Sequence, residues 1–294
     1  MKPCLLERTT VLFAWAAGLL LTAAVAVLFG YLFMHGLEVL NLPLIFGNTP
    51  PWRALLLQER VFEGLFPALA GTFMLVLLAI CWAIPVGLAT GVYLSEYAGP
   101  RVRRVLDALF DVLAGVPSIV VGLFGFALAV FLHRHFSERI GPCLLISSLA
   151  LSILVLPYII RTTQASLEGL PREIRLTAIA LGATKLQNII LVLLPKSLAG
   201  VMSGIILAIG RCAEDTAVIM LTGVVASAGL PKSLLSQYEA LPFYIYYISS
   251  QYTSPEELQQ GYGAAIILLL LCALLLLAAY GIRKGLAHLV FYRP

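Results

Sequence analysis

The sequence predicts an all-α membrane protein that crosses the bilayer with six transmembrane helices. Of its 294 residues 61% are hydrophobic and 12% charged, and the mean hydropathy is +0.97, far from the balance of soluble globular chains. Six apolar stretches, residues 11–34, 65–94, 112–132, 143–160, 198–222 and 262–282, reach or approach the about 20 residues that a helix needs to cross a hydrocarbon core of about 30 Å. A buried helix of a soluble protein accounts for a short apolar run. It does not account for residues 264–279, where the Cys272 thiol is the most polar side chain.

The first span follows Lys2 and Arg8, and its small residues Ala24, Val25 and Ala26 invite comparison with a cleavable signal peptide. The apolar run continues to Met34, which is long for a signal, so an extra N-terminal span over residues 11–34 is expected to be retained. In the second span Gly87 and Gly91 stand four residues apart, a spacing that lets helix backbones approach closely. Residues 95–111, with Gly99-Pro100 and Arg101, Arg103 and Arg104, read as a tight turn before the third span. His133 and His135 follow that span without a Cys or a carboxylate cluster beyond Glu138, a poor metal pattern.

The fourth span carries Pro157 and closes on Arg161. A basic residue at a helix end is ordinary topology, although Arg161 is also a candidate for a substrate path. Residues 161–195 are too long for a turn. Gly169-Leu170-Pro171 punctuates them, and Ile174, Ala178 and Leu181 then recur at helical spacing up to Gly182, predicting a short amphipathic helix. The fifth span repeats the close-packing signature at Gly200 and Gly204.

Further along the fifth span stands Arg211, with Glu214, Asp215 and Thr216 in the next turn. A central Arg costs about 2.5–3.5 kcal/mol on insertion scales, so its presence asks for a reason. Arg211 and Asp215 share one helix face, and pairing offsets part of that cost. Two roles fit: an ion pair that pins helix packing, or an anion path. A guanidinium offers a planar fork of donors to a tetrahedral oxyanion, while a nearby carboxylate keeps the anion from binding too tightly. Residues 223–261 hold Tyr238, Phe243, Tyr244, Tyr246, Tyr247 and Tyr252, an aromatic segment suited to the outer headgroup level as an anchor or as a docking surface.

Orientation follows from the loops. With the N-terminus inside, the inner segments hold thirteen Lys and Arg and the outer ones five, which puts both termini in the cytoplasm. The net charge of +4 follows from this bias and implies no nucleic-acid partner. The five cysteines are scattered and mostly within spans, a packing pattern rather than a disulfide framework or a metal site. No composition boundary divides the chain, so a single membrane domain over residues 1–294 is expected. A Gly-Lys dipeptide occurs nowhere, so no Walker A loop can be drawn, and no nucleophile–base set shares a span. The chain is expected to move a solute, not to catalyse a reaction.

Residues 175–195, RLTAIALGATKLQNIILVLLP, resemble the cytoplasmic loop of bacterial ABC importer permeases, written Glu-Ala-Ala, a Gly after three residues, then an apolar run closing in Leu-Pro. Thr177 and Ala178 stand at the Ala positions, followed by Ala183 after the matching Gly182, whereas Leu176 replaces the Glu. Four further stretches, LSEYAGP at 94–100, LAGVPSIVVGLFG at 113–125, LPYIIRTT at 156–163 and GRCAEDTA at 210–217, resemble phosphate importer permeases. ALPFYIYYISSQY at 240–252 resembles the A type of that family, and the similarity covers roughly residues 65–284.

The resemblance implies a type I ABC importer permease with a cytoplasmic coupling helix between spans four and five, in a bacterial inner membrane. Leu176, Thr177, Ala178, Gly182 and Ala183 would then belong to the coupling to the ATPase, and Glu173 would offer a substitute carboxylate one turn earlier. By the same resemblance Arg161, Arg211 and Asp215 belong to the anion path with Thr216, while Glu214 replaces a usual Gly and adds a negative charge. The implied partners are a second homologous permease, two ATPase subunits that carry ATP and Mg, an extracytoplasmic phosphate-binding protein, membrane lipid and inorganic phosphate. No cofactor is expected in this chain. Other oxyanions such as sulfate, molybdate or tungstate, an ion-driven carrier acting alone, and a structural scaffold are the competing expectations.

Overall fold

The computed structural model describes residues 5–55, 64–138 and 140–291. Lys2, Cys4, Arg60, Arg139 and Arg293, which enter the charge and cysteine arguments, lie outside them. The helices used below are α1 (Leu5–Gly36), α2 (Phe66–Val92), α3 (Pro100–Gly115), α4 (Ser118–His135), α5 (Leu144–Glu168), α6 (Arg172–Ala180), α7 (Leu194–Glu214), α8 (Ala217–Thr222), α9 (Leu241–Gln251) and α10 (Pro255–Phe291). Among the described residues, six helices are long and apolar enough to cross a membrane: those built on α1, α2, α4, α5, α7 and α10. Cys81, Cys143, Cys212 and Cys272 are free thiols.

The six predicted spans fall on these helices, which run on to Glu168 in the fourth and start earlier, at Lys185 and Pro255, in the fifth and sixth; two spans are broken. The third begins at Ser118 instead of Val112, because Val116 precedes Pro117 and is held extended with ψ 127°, the conformation that a following proline imposes. Residues 100–115 form a separate amphipathic helix where a tight turn was expected. Val102, Val105, Leu109 and Val112 lie exposed on α3, while its acidic side faces α5. The fifth span stops at Glu214, and Asp215 is extended with ψ 119° before α8 resumes.

Helix α5 is the axis of the bundle, gripped from two sides by glycines. A Cβ on Gly87 or Gly91 of α2 would stand 2.7 Å from Ile159 Cγ2 or 2.6 Å from Thr163 Cβ. On the other side a Cβ on Gly204 or Gly200 of α7 would stand 1.7 Å from Thr162 Oγ1 or 2.0 Å from Ser166 Oγ. Both expected glycine pairs therefore set interhelical distance, the use that small residues have where lipid removes the hydrophobic drive. These contacts also fix direction: α2 runs parallel to α5, and α7 runs antiparallel. The tips of α2 and α5 meet α6 at one end of the bundle, called here the basic end because Arg101, Arg103, Arg104, Arg172, Arg175 and Lys185 collect there.

At the opposite end residues 223–251 fold back onto the bundle. The carbonyls of Ser236 and Leu234 accept from the N–H groups of Leu144 and Leu145 at 3.1 and 2.8 Å, satisfying donors that the start of α5 leaves open. Thr72 Oγ1 accepts from the Leu241 N–H at 2.9 Å, and the Glu239 carbonyl lies where a Gly71 side chain would be. Of the expected interfacial aromatics, Tyr238 is fully buried, while Tyr246, Tyr247 and Tyr252 stay exposed. Burial raises the Glu239 carboxyl above the ordinary carboxylate range, and the Gly229 and Ala228 N–H groups pull it partly back. Its contribution to the fold is therefore present at low pH and lost as the pH rises through the raised value. Replacing Thr72 by the isosteric Val leaves the buried Leu241 N–H unpaired, at a cost of about 1–3 kcal/mol. The melting temperature of the purified protein is expected to fall, with the loss localised by faster proteolysis of residues 223–251.

Candidate functional site

The break in the fifth span exposes a charge cluster inside the bundle. Arg211 Nη2 lies 3.1 Å from Asp215 Oδ2, and Nη1 lies 3.2 Å from Glu214 Oε1. Asp215 is doubly held, because its Oδ1 also accepts from the Val218 N–H at 2.9 Å and so caps α8. Its side chain is 2% exposed, whereas Glu214 is 64% exposed and Arg211 32%. Thr216 makes the turn, its carbonyl accepting from Met220 N at 3.0 Å. The cluster thus combines one fixed carboxylate, one guanidinium and one carboxylate on the open side.

Its depth follows from register. Gly200 meets Ser166 and Gly204 meets Thr162, so continuing this antiparallel pairing sets Arg211 level with Val155, close to the middle of α5. Arg161 stands six residues nearer the basic end, about 9 Å along the axis at 1.5 Å per residue. The candidate path residues therefore fall into two groups: Arg211, Glu214, Asp215 and Thr216 together, and Arg161 apart.

Arg161 has its own carboxylates. Its Nη1 donates to Asp107 Oδ1 and its Nη2 to Asp111 Oδ1, both at 2.5 Å, and Nη2 also donates to the Asp107 carbonyl at 2.7 Å. Arg103 adds a bond to Glu168 Oε1 at 2.6 Å, so three ion pairs bind α3 to α5. Neither Asp107 nor Asp111 was singled out from sequence. Their four-residue spacing on a charged amphipathic segment was the available signal, and a partner 50 residues away in Arg161 was not. Asp107 is the better buried, at 26% side-chain exposure against 71% for Asp111. Asp107→Asn is therefore expected to lower stability by about 1–2 kcal/mol, and Asp111→Asn by less than about 1 kcal/mol, as measured by thermal melting.

The coupling candidates form a surface at the basic end. Leu176 and Thr177 lie exposed on α6, Ala178 is half-buried, and Gly182 turns the chain with φ +87°, a conformation that favours glycine. The predicted α6 face holds only in part. Ile174 packs inward, but Leu181 is 85% exposed because it ends the helix instead of continuing its stripe. Leu176, Ile179 and Leu181 together leave an apolar outer surface, and Glu173 is also exposed. His133 and His135 bond their ring nitrogens to the carbonyls of Ile140 and Phe131. Among the described residues no three His, Cys, Asp or Glu side chains gather for a metal ion.

Comparison with known proteins adds lineage to this geometry. The chain is 36% identical over 230 residues to the phosphate transport system permease protein PstA 1 of Mycobacterium tuberculosis, covering 77% of this chain and 73% of that protein. It is 30% identical to PstA of Haemophilus influenzae, over 80% of this chain and 79% of the relative. For PstA of Yersinia pestis the figures are 35% identity, 64% and 60%. Among solved structures, the inward-facing MetNI methionine ABC transporter superposes with a TM-score of 0.56 at 18% identity, over 81% of this chain and 99% of that chain, a likeness of fold. Residues 83–290 match the family described as binding-protein-dependent transport system inner membrane component, a match that spans the charged break, the α3–α5 ion pairs and the α6 surface. This chain belongs to that family, as a permease of the ABC importer kind.

Proposed function

We propose that the chain is one of two permease subunits of an ATP-driven importer that carries inorganic phosphate into the cytoplasm by alternating access. The observation that carries this is the Arg211 cluster: a guanidinium at mid-span, held by a fixed carboxylate and faced by an exposed one, in a chain whose relatives are phosphate permeases. Glu214 is the exchangeable partner, since it bonds Arg211 through one oxygen and stands open, whereas Asp215 is tied to α8. An incoming phosphate oxygen replaces Glu214 on the guanidinium, and the returning carboxylate displaces the anion. Such competition keeps the site from trapping its cargo, and only interactions that differ between two states shift an equilibrium.

In this account the basic end faces the cytoplasm, as the Lys and Arg excess favours, and both termini lie there. The α6 surface rests on an ATPase subunit that binds ATP and Mg, while the opposite end receives a phosphate-loaded binding protein. Arg161, paired to α3, lies on the cytoplasmic side of Arg211 and lines the exit. The test is ATP hydrolysis by the reconstituted assembly with binding protein loaded by phosphate, sulfate or tungstate. Phosphate is expected to stimulate; stimulation by a different anion alone overturns the substrate assignment.

A further inference from the structure

One corner of the basic end is built more tightly than anchoring a surface loop requires. Glu96 sits in a π-helical turn, Tyr93–Tyr97, that extends α2 past its last α-helical residue. Its carboxylate Oε1 accepts from Arg175 Nη1 at 2.7 Å and from Ser95 Oγ at 2.9 Å, with 10% of the Glu96 side chain exposed. Arg175 belongs to α6, and its Nη2 donates to the Leu167 carbonyl near the end of α5. The Arg175 carbonyl accepts in turn from Asn188 Nδ2 at 2.9 Å. Lys185 closes the corner from the far side of Gly182, donating to the Glu96 carbonyl and lying over the Tyr97 ring at 4.5 Å.

Below these polar contacts lies a small apolar cluster separate from the main core. Leu167, Ile189 and Leu193 are buried there with Val92, Leu170 and Ile174 packed against them. Ile189–Leu193 is a second π-helical turn, so two of the segments that enter the corner are wound in the same uncommon way. Such turns are rare and are frequently found at functional sites. Four elements therefore converge on one ion pair: the end of α2, the end of α5, helix α6, and the segment that leads into α7.

We propose that Glu96 and Arg175 form a transmission joint that makes the tip of the second span move with α6, so that a push on α6 reaches α2 as well as the neighbouring spans. Glu96 is a positioning residue in this role. It touches neither cargo nor ATP and acts by holding Arg175. The joint lies on the inner side of α6, so it leaves Leu176, Ile179 and Leu181 free for contact with a partner. The inference rests on the transport function proposed above.

The test uses the complete assembly with both permeases, the ATPase subunits and the binding protein, reconstituted in vesicles, and reads phosphate taken up per ATP hydrolysed. Glu96→Gln is nearly isosteric and retains an acceptor, so the assembly is expected to be recovered intact. Its uptake per ATP is expected to fall about fivefold or more while hydrolysis stays within about twofold of wild type, the scale of a lost coupling between sites. Arg175→Gln is expected to do at least as much. The double variant should lose no more than Arg175→Gln alone, since both changes break one contact. A parallel fall of uptake and hydrolysis, an unchanged ratio in Glu96→Gln, or losses that multiply in the double variant each overturn the joint. Wild-type hydrolysis that ignores phosphate-loaded binding protein contradicts the transport function itself, and the joint with it.

Discussion

Replacing Arg211 by Gln is expected to reduce phosphate uptake about 100-fold while the permease still assembles. The size follows from the bonds at stake, because hydrogen bonds to a charged group contribute about 1.5–3 kcal/mol each and 1.4 kcal/mol is a factor of about ten. An oxyanion that meets glutamine instead of the guanidinium loses the charge and one of two paired donors. Asp215 loses its counter-ion but keeps the bond from Val218 N–H, so the α7–α8 break should persist. Arg211→Lys separates charge from geometry. It keeps the charge without the planar fork and is expected to fall between wild type and Gln. Uptake of labelled phosphate by vesicles, normalised to permease recovered by affinity purification, checks both. Uptake by Arg211→Gln at the wild-type rate removes this residue from the path.

The second large effect concerns the fold. Gly204→Leu is expected to prevent recovery of a folded protein, because the new Cβ alone would stand 1.7 Å from Thr162 Oγ1, 2.7 Å from its Cβ and 3.0 Å from its Cγ2. Rotating the Thr162 hydroxyl away does not relieve the contact with Cβ, so α7 must separate from α5. Overpacking typically costs about 1–3 kcal/mol even where side chains can adjust, and here a backbone spacing has to change along a whole interface. Gly204→Ala should already lower the melting temperature. Gly30→Leu on α1 is the control, since nothing lies within 4 Å of a Cβ at that position. Expression and size-exclusion profiles of the three variants decide the matter. A monodisperse Gly204→Leu protein contradicts the role given to the α5–α7 contact.

Sequence periodicity and composition sufficed for what the bilayer imposes. Length and apolarity marked six spans, and the four-residue glycine spacings marked the two faces on which α5 is gripped. The pairing of Arg211 with Asp215 was readable because a helix brings residues i and i+4 together without tertiary help. Where a contact spans distant segments, the sequence was silent. Arg161 looked like a helix-end charge, and its bonds to Asp107 and Asp111 depend on α3 folding back along α5. Glu96 and Arg175 stand 79 residues apart and meet only because two spans end at the same level. The break at Pro117 was written in the chain but outweighed by the apolar run around it. The interruption at Asp215 had a weaker signal, since an Asp that caps a new helix looks the same in sequence as one paired along an old one. Leu181 shows the converse failure, a periodic apolar residue left exposed because the helix ends just before it.

The measurement that tests the central claim most directly is accumulation of labelled phosphate by vesicles containing the complete assembly, with ATP supplied to the face bearing α6 and binding protein to the opposite face. Uptake against a phosphate gradient is predicted to require both, and to stop when either is withheld or when ATP is replaced by a non-hydrolysable analogue. Accumulation driven by an ion gradient in vesicles that contain this chain alone, without ATP or binding protein, contradicts the account.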